Sequence, residues 1–120
     1  MNILFEESIT PEFREKYIFL ELDKFYFKDI EKTTTAYCVL ENVPINDMMQ
    51  ADTFLNLHAN LMENYYKRNW NYCEQAIEHL KGHWNGAVDS FYDSLLERVQ
   101  TYKENEPSPD WTGAIFRVPA

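Results

Sequence analysis

The sequence predicts an α+β fold, mostly helical, in which an N-terminal antiparallel β-hairpin over 17–41 packs on three helices over 46–105. Three observations carry this reading. Up to Leu40 apolar residues recur with a period of two among aromatic and β-branched neighbours, and after Val43-Pro44 the period becomes 3.6. The chain has 120 residues, 45% of them apolar and 16% aromatic, which supplies one core rather than two. Residues 1–120 are therefore expected to form a single domain.

Taken in order, Thr10-Pro11-Glu12 is a helix start, because Thr can accept from a free amide and Pro lacks the N–H that a first turn cannot use. One short helical turn is expected over 11–16. Wound as a helix, Tyr17 to Ile30 would show apolar residues at every angle. As a strand, Leu20, Leu22 and Tyr26 alternate with Glu21, Asp23 and Phe25, with a change of phase at Asp23-Lys24. Asp29 to Lys32 is polar and turn-like, and Thr33 to Leu40 has the composition of a second strand.

The helices follow. On a helical wheel Met48, Ala51, Phe54, Leu55, His58, Leu61, Met62 and Tyr65 share one side, and Asp52, Thr53, Asn56, Asn60, Glu63, Asn64 and Lys67 the other. A second helix over 70–81 turns Trp70, Cys73, Ala76, Ile77 and Leu80 inward, and Gly82 is a left-handed stop. A third, over 84–105, gathers Trp84, Ala87, Val88, Phe91, Leu95, Val99 and Tyr102, and Pro107-Ser108-Pro109-Asp110 ends it. The tail 106–120 has two readings, a third strand beside the hairpin or an arm over the helices. Trp70-Asn71-Tyr72-Cys73 with Ile77 is echoed by Trp84-Asn85-Gly86-Ala87 with Phe91. In each copy a small residue one turn after the indole would let a neighbouring helix approach closely.

Charge narrows the function. Eleven Lys and Arg against 20 Asp and Glu give −9, and a surface that acidic does not suit contact with phosphates or anionic membranes. No apolar run approaches the roughly twenty residues of a membrane span. Cys38 and Cys73 lack CxxC spacing, and MNILFEESITPEF lacks the basic and apolar regions of a secretory leader. A cytoplasmic protein with reduced thiols is expected.

The stretch LMENYYKRNWNYCEQAIEHL, residues 61–80, resembles one tetratricopeptide repeat, with Leu61, Tyr65, Trp70, Cys73 and Ile77 in the roles that join its two helices. It departs from that pattern in having Met62 for the usual Gly, a turn one residue short and no closing Pro. The resemblance implies a tetratricopeptide-like three-helix bundle. It also implies that Asn56, Asn60, Glu63, Tyr66 and Lys67 face a bound peptide, whose backbone or terminal carboxylate amides and a lysine can hold. CVLENVPI and IEHLKGHWNGAVDSFY are similar to segments of small proteins of marine tailed phages of the T-even type, a likeness that brings no activity with it.

Candidate chemistry is sparse. His79 and His83 are spaced i, i+4, but two imidazoles are not a metal site and Gly82 falls between them. His58 lies in an apolar stripe, where a buried histidine paired with a carbonyl or carboxylate is expected, and a catalytic role would need a pocket beside it. Cys73, the one conceivable nucleophile, occupies a packing position. Asp89-Ser90 and Asp93-Ser94 read as a solvated face. No catalytic residue, cofactor or metal is expected. The function expected is a non-catalytic acidic adaptor or regulator that binds another protein through a helical face, with self-association left open. The alternatives are an acidic, phage-encoded decoy that imitates nucleic acid in the groove of a host enzyme, and a small enzyme built around His58.

Overall fold

The architecture is α+β in the computed structural model, which describes residues 2–40 and 45–117, and the side chains of these except 45–50, 85, 116 and 117. The Met48 side chain, the Val43-Pro44 boundary and the last three residues of the tail thus lie outside what the structure describes. Contacts gather the chain into two units, one drawn from Met1–Glu41 and Trp111–Ala120, the other from Asn42–Asp110.

The first unit contains strands β1 (Asn2–Phe5), β2 (Ile18–Phe27), β3 (Lys32–Leu40) and β4 (Ala114–Arg117), with helix α1 (Pro11–Lys16) between β1 and β2. The strand order is β1-β3-β2-β4. β3 runs antiparallel to both β1 and β2, and β4 runs parallel to β2, so the strands form a mixed sheet where a two-stranded unit was expected. The tail thus supplies a strand. β1 escaped the sequence because four residues are too few to show a period, and β4, one of the two readings of the tail, pairs in parallel, which no local turn announces.

Helix α1 begins as its sequence demands, with the Thr10 hydroxyl accepting from the Phe13 N–H at 3.3 Å and Pro11 in the first turn. The phase change in β2 is a bulge between Glu21 and Lys24. The extra residue sets Phe25 opposite Thr34 and Phe27 opposite Lys32, on the face that carries Leu20 and Leu22. Tyr26 moves to the opposite face, where the sequence pattern had grouped it with the two leucines. That first face buries Leu20, Leu22, Ala36, Cys38 and Leu40, and Phe5 packs edge-on against Phe25 and Phe27 at 6.0 and 5.8 Å. On the other face the Arg14 guanidinium lies over the rings of Phe19 and Tyr37, 5.9 and 5.6 Å from their centres.

The second unit holds α2 (Ile45–Tyr66), α3 (Trp70–Leu80) and α4 (Asp89–Glu104). α2 stops at a left-handed Arg68, φ 66°, where the Arg68 N–H donates to the Tyr65 carbonyl and the Asn69 N–H to the Asn64 carbonyl. α3 stops before Gly82, φ 90°. The third helix starts later than expected: Trp84–Gly86 is a single 3-10 turn in which Trp84 and Gly86 have φ of 57° and 74°, a conformation that no α-helix can continue. Ala87 is consequently exposed, so the second copy of the Trp-Asn echo lacks the close approach made at Cys73, which is fully buried.

Burial otherwise follows the helical pattern, with His58, Leu61, Met62 and Tyr65 of α2 and Trp70, Cys73, Ala76, Ile77 and Leu80 of α3 all inside. Val88, Phe91, Tyr92, Leu95 and Val99 complete the buried set around α4, Tyr92 being an addition to the predicted face. Each such large apolar side chain contributes about 1.5–3 kcal/mol through removal from water. No helix among the described residues is long and apolar enough to cross a membrane.

Candidate functional site

The amphipathic period of α2 that buries Leu61 and Tyr65 leaves Asn56, Asn60, Glu63 and Lys67 exposed on the other side, with Tyr66 half-buried at its end. The Tyr66 ring meets Tyr65 edge-on at 5.4 Å, which fixes it between core and surface. The Lys67 ammonium sits 2.9 Å from the Glu63 carboxylate, one helical turn away, and both side chains are more than half exposed. Such a pair contributes under about 1 kcal/mol, so either partner can turn to another ion at little cost.

This row runs into a concavity of about 370 Å³ at the α2–α3 turn, lined by Arg68, Asn69, Trp70, Asn71, Tyr72 and Lys103. Asn64 joins the two: its amide donates to the Asn60 carbonyl at 2.7 Å, and its Oδ1 accepts from Asn69 at 2.7 Å. The loop after α4 is tied to the same turn. The Arg68 guanidinium donates to the carbonyls of Pro107 and Ser108 at 3.0 and 2.6 Å and lies 3.5 Å from the Glu106 carboxylate, which accepts from the Trp70 indole at 2.9 Å. Lys103 is held by Glu74 at 2.6 Å.

The concavity thus has both of its lining cations, Arg68 and Lys103, paired with carboxylates. It offers side-chain amides and ring edges, groups that recognise a peptide backbone and apolar side chains. The sequence pattern named the α2 row but missed Arg68, Asn69, Asn71, Tyr72 and Lys103. The break between helical periods at Arg68-Asn69 was the available signal, and Lys103 comes from a distant helix.

Comparison with protein-family models, with curated proteins and with solved structures finds no match to this chain.

The other singled-out residues are placed as follows. His58 is buried, with Nδ1 2.9 Å from the Tyr92 hydroxyl. Cys73 is enclosed, its Sγ 3.9 Å from the Leu61 carbonyl, and burial pushes its thiol up to about 11, as it does that of Cys38. His79 is exposed, whereas His83 lies beyond the helix end and stacks on Phe54 at 3.7 Å, so the two imidazoles do not share a helical face. Among the described residues no three His, Cys, Asp or Glu side chains group as metal ligands would. Asp89 and Asp93 are more than a solvated face: Asp89 Oδ1 accepts from the Gly82 N–H at 2.8 Å and Asp93 pairs with Lys81, which ties the turn after α3 to the start of α4.

Proposed function

We propose that this chain is a non-catalytic adaptor or regulator that binds another protein through the outward face of α2, formed by Asn56, Asn60, Glu63, Tyr66 and Lys67. The observation that carries the reading is the continuity of that row with the amide- and aromatic-lined concavity at the α2–α3 turn, joined through Asn64. The tetratricopeptide-like reading of α2 and α3 is supported by Leu61, Tyr65, Trp70, Cys73 and Ile77, all of which are buried, with Tyr65 and Trp70 edge-on at 6.0 Å. A non-catalytic role is favoured because His58 and both thiols are withdrawn into the interior. Two free cysteines suit a reducing compartment such as the cytoplasm.

Capture of the partner from the native host, followed by binding measurements with variants, tests the proposal. Lys67→Glu and Tyr66→Ala are expected to weaken binding, while affinity between about 50 and about 300 mM salt changes by less than about tenfold, since an apolar and amide-based contact is screened little. A decoy that imitates phosphates would behave oppositely, losing about a thousandfold over that range with both variants silent.

A further inference from the structure

We propose that the β1 edge of the sheet, with the groove beside it, docks an extended apolar peptide flanked by basic residues, which adds to β1 as a further strand. This surface belongs to the first unit and does not depend on the α2 reading.

β1 is the last strand on its side of the sheet, so one edge of its backbone carries N–H and C=O groups that the sheet does not use. Edges are ordinarily blunted by charge, proline or a bulge. β1 reads Asn2-Ile3-Leu4-Phe5, with no charge and no proline, and its register against β3 is unbroken. Among the described side chains its apolar residues are the most open of any strand, Ile3 being 51% and Phe5 39% exposed.

The surroundings supply a place for side chains on both faces of an added strand. A groove of about 430 Å³ is lined by Asn2, Leu4, Val39 and Phe19 on one face of the sheet and by Phe13 and Tyr17 at α1, with Ile3 also touching it and Phe13 left 40% exposed as its wall. On the other face stand Ile3 and Phe5. Side chains of a strand alternate between faces, so one set would enter the groove while the next set covers Ile3 and Phe5. Only an apolar peptide satisfies both.

Charge selects among occupants. Glu6 follows β1 directly, and Glu12 and Glu15 flank Phe13 on α1, all three exposed. Of the nearby cations, Lys32 is paired with Glu7 at 3.0 Å and Arg14 lies over Phe19 and Tyr37, so that with Lys16 at the end of α1 the three carboxylates still outnumber the two cations not matched to an acid. A second copy would bring two such acidic rims together in a chain of charge −9, whereas lysine or arginine at the ends of a peptide would neutralise them.

The test uses the full chain labelled with nitrogen-15 and a synthetic peptide of alternating valine and phenylalanine between lysine pairs. Amide shifts are expected on Asn2–Phe5, on Phe13 and Tyr17 and on Val39, and little elsewhere. A proline-substituted peptide, which cannot donate to the edge, and a glutamate-ended one should each bind at least about tenfold more weakly. Ile3→Lys should weaken the lysine-ended peptide to a similar degree. Should that variant unfold, Glu12→Lys, at an exposed position, should still reduce affinity and partly restore the glutamate-ended peptide. Failure of the lysine-ended peptide to bind, equal binding of the proline peptide, or shifts mapped to α2 would overturn the proposal. So would β1 signals that move with protein concentration in the absence of peptide, which would identify the occupant as a second copy.

Discussion

The imidazole of His58 on α2 and the hydroxyl of Tyr92 on α4 meet at 2.9 Å in the interior, joining two helices thirty-four residues apart. Tyr92→Phe keeps the ring and removes the hydroxyl, depriving a buried nitrogen of that contact. The expected cost is about 1–3 kcal/mol, read as a lower midpoint in urea with an unchanged slope. An unaltered midpoint would mean that this contact contributes nothing to stability.

Arg68 combines a left-handed backbone with a side chain that holds Pro107, Ser108 and Glu106. Arg68→Ala loses the clamp and keeps the strained backbone. Arg68→Gly loses the same clamp and relieves it, so the glycine variant should be the more stable of the two by about 1 kcal/mol. The comparison isolates the backbone, since neither residue can reach the loop. Equal denaturation midpoints would show that Arg68 is not held left-handed.

Glu7 accepts a hydrogen bond from the Thr34 hydroxyl at 2.6 Å and pairs with Lys32, and its carboxyl is held down to about 2 from the usual 4.5, first by Thr34. A depressed acid stabilises the fold fully above its unfolded value. That contribution is lost as pH falls from about 4.5 through about 2. Thermal midpoints across this window should decline, and Glu7→Gln should remove its share of the slope. A Glu7→Gln profile parallel to the parent would show that the carboxylate is not titrating in this way.

Both thiols are buried and pushed up to about 11 by that burial. Thiolate is the reactive form, so neither cysteine should react with an aromatic disulfide reagent at neutral pH until the protein unfolds, and both should react in denaturant. Rapid labelling of native Cys73 would return it to consideration as a nucleophile.

The elements with strong periodicity or capping chemistry were legible in the sequence. α1 starts at Pro11 behind Thr10 because proline's φ is preset for a first turn, and α3 ends before Gly82 because glycine reaches a φ of 90° without strain. Trp70 and Trp84 are buried and Trp111 is half-buried, as their positions beside apolar stripes or a proline loop implied. What could not be read depends on distance or on residues in unfavoured conformations. Trp84, with φ 57°, and Arg68, with φ 66°, stand where sequence rules expect Gly or Asn. The α2 row was visible because a helix displays its own surface. Its concavity was not, since Lys103 and Glu106 are brought to Trp70 by the return of α4.

The parallel pairing of β4 with β2 sets an order for biosynthesis. Lys24 is matched with Ala114 and Phe27 with Arg117, so the sheet stays one strand short until residues 114–117 have left the ribosome. The contacts of α2 with α3 and of α3 with α4 join neighbours in sequence and can form as the chain emerges. A nascent chain stalled before Trp111 should therefore show protease-resistant helices and a cleavable N-terminal segment, and emergence of residues 114–117 should be what secures the strands that precede the helices.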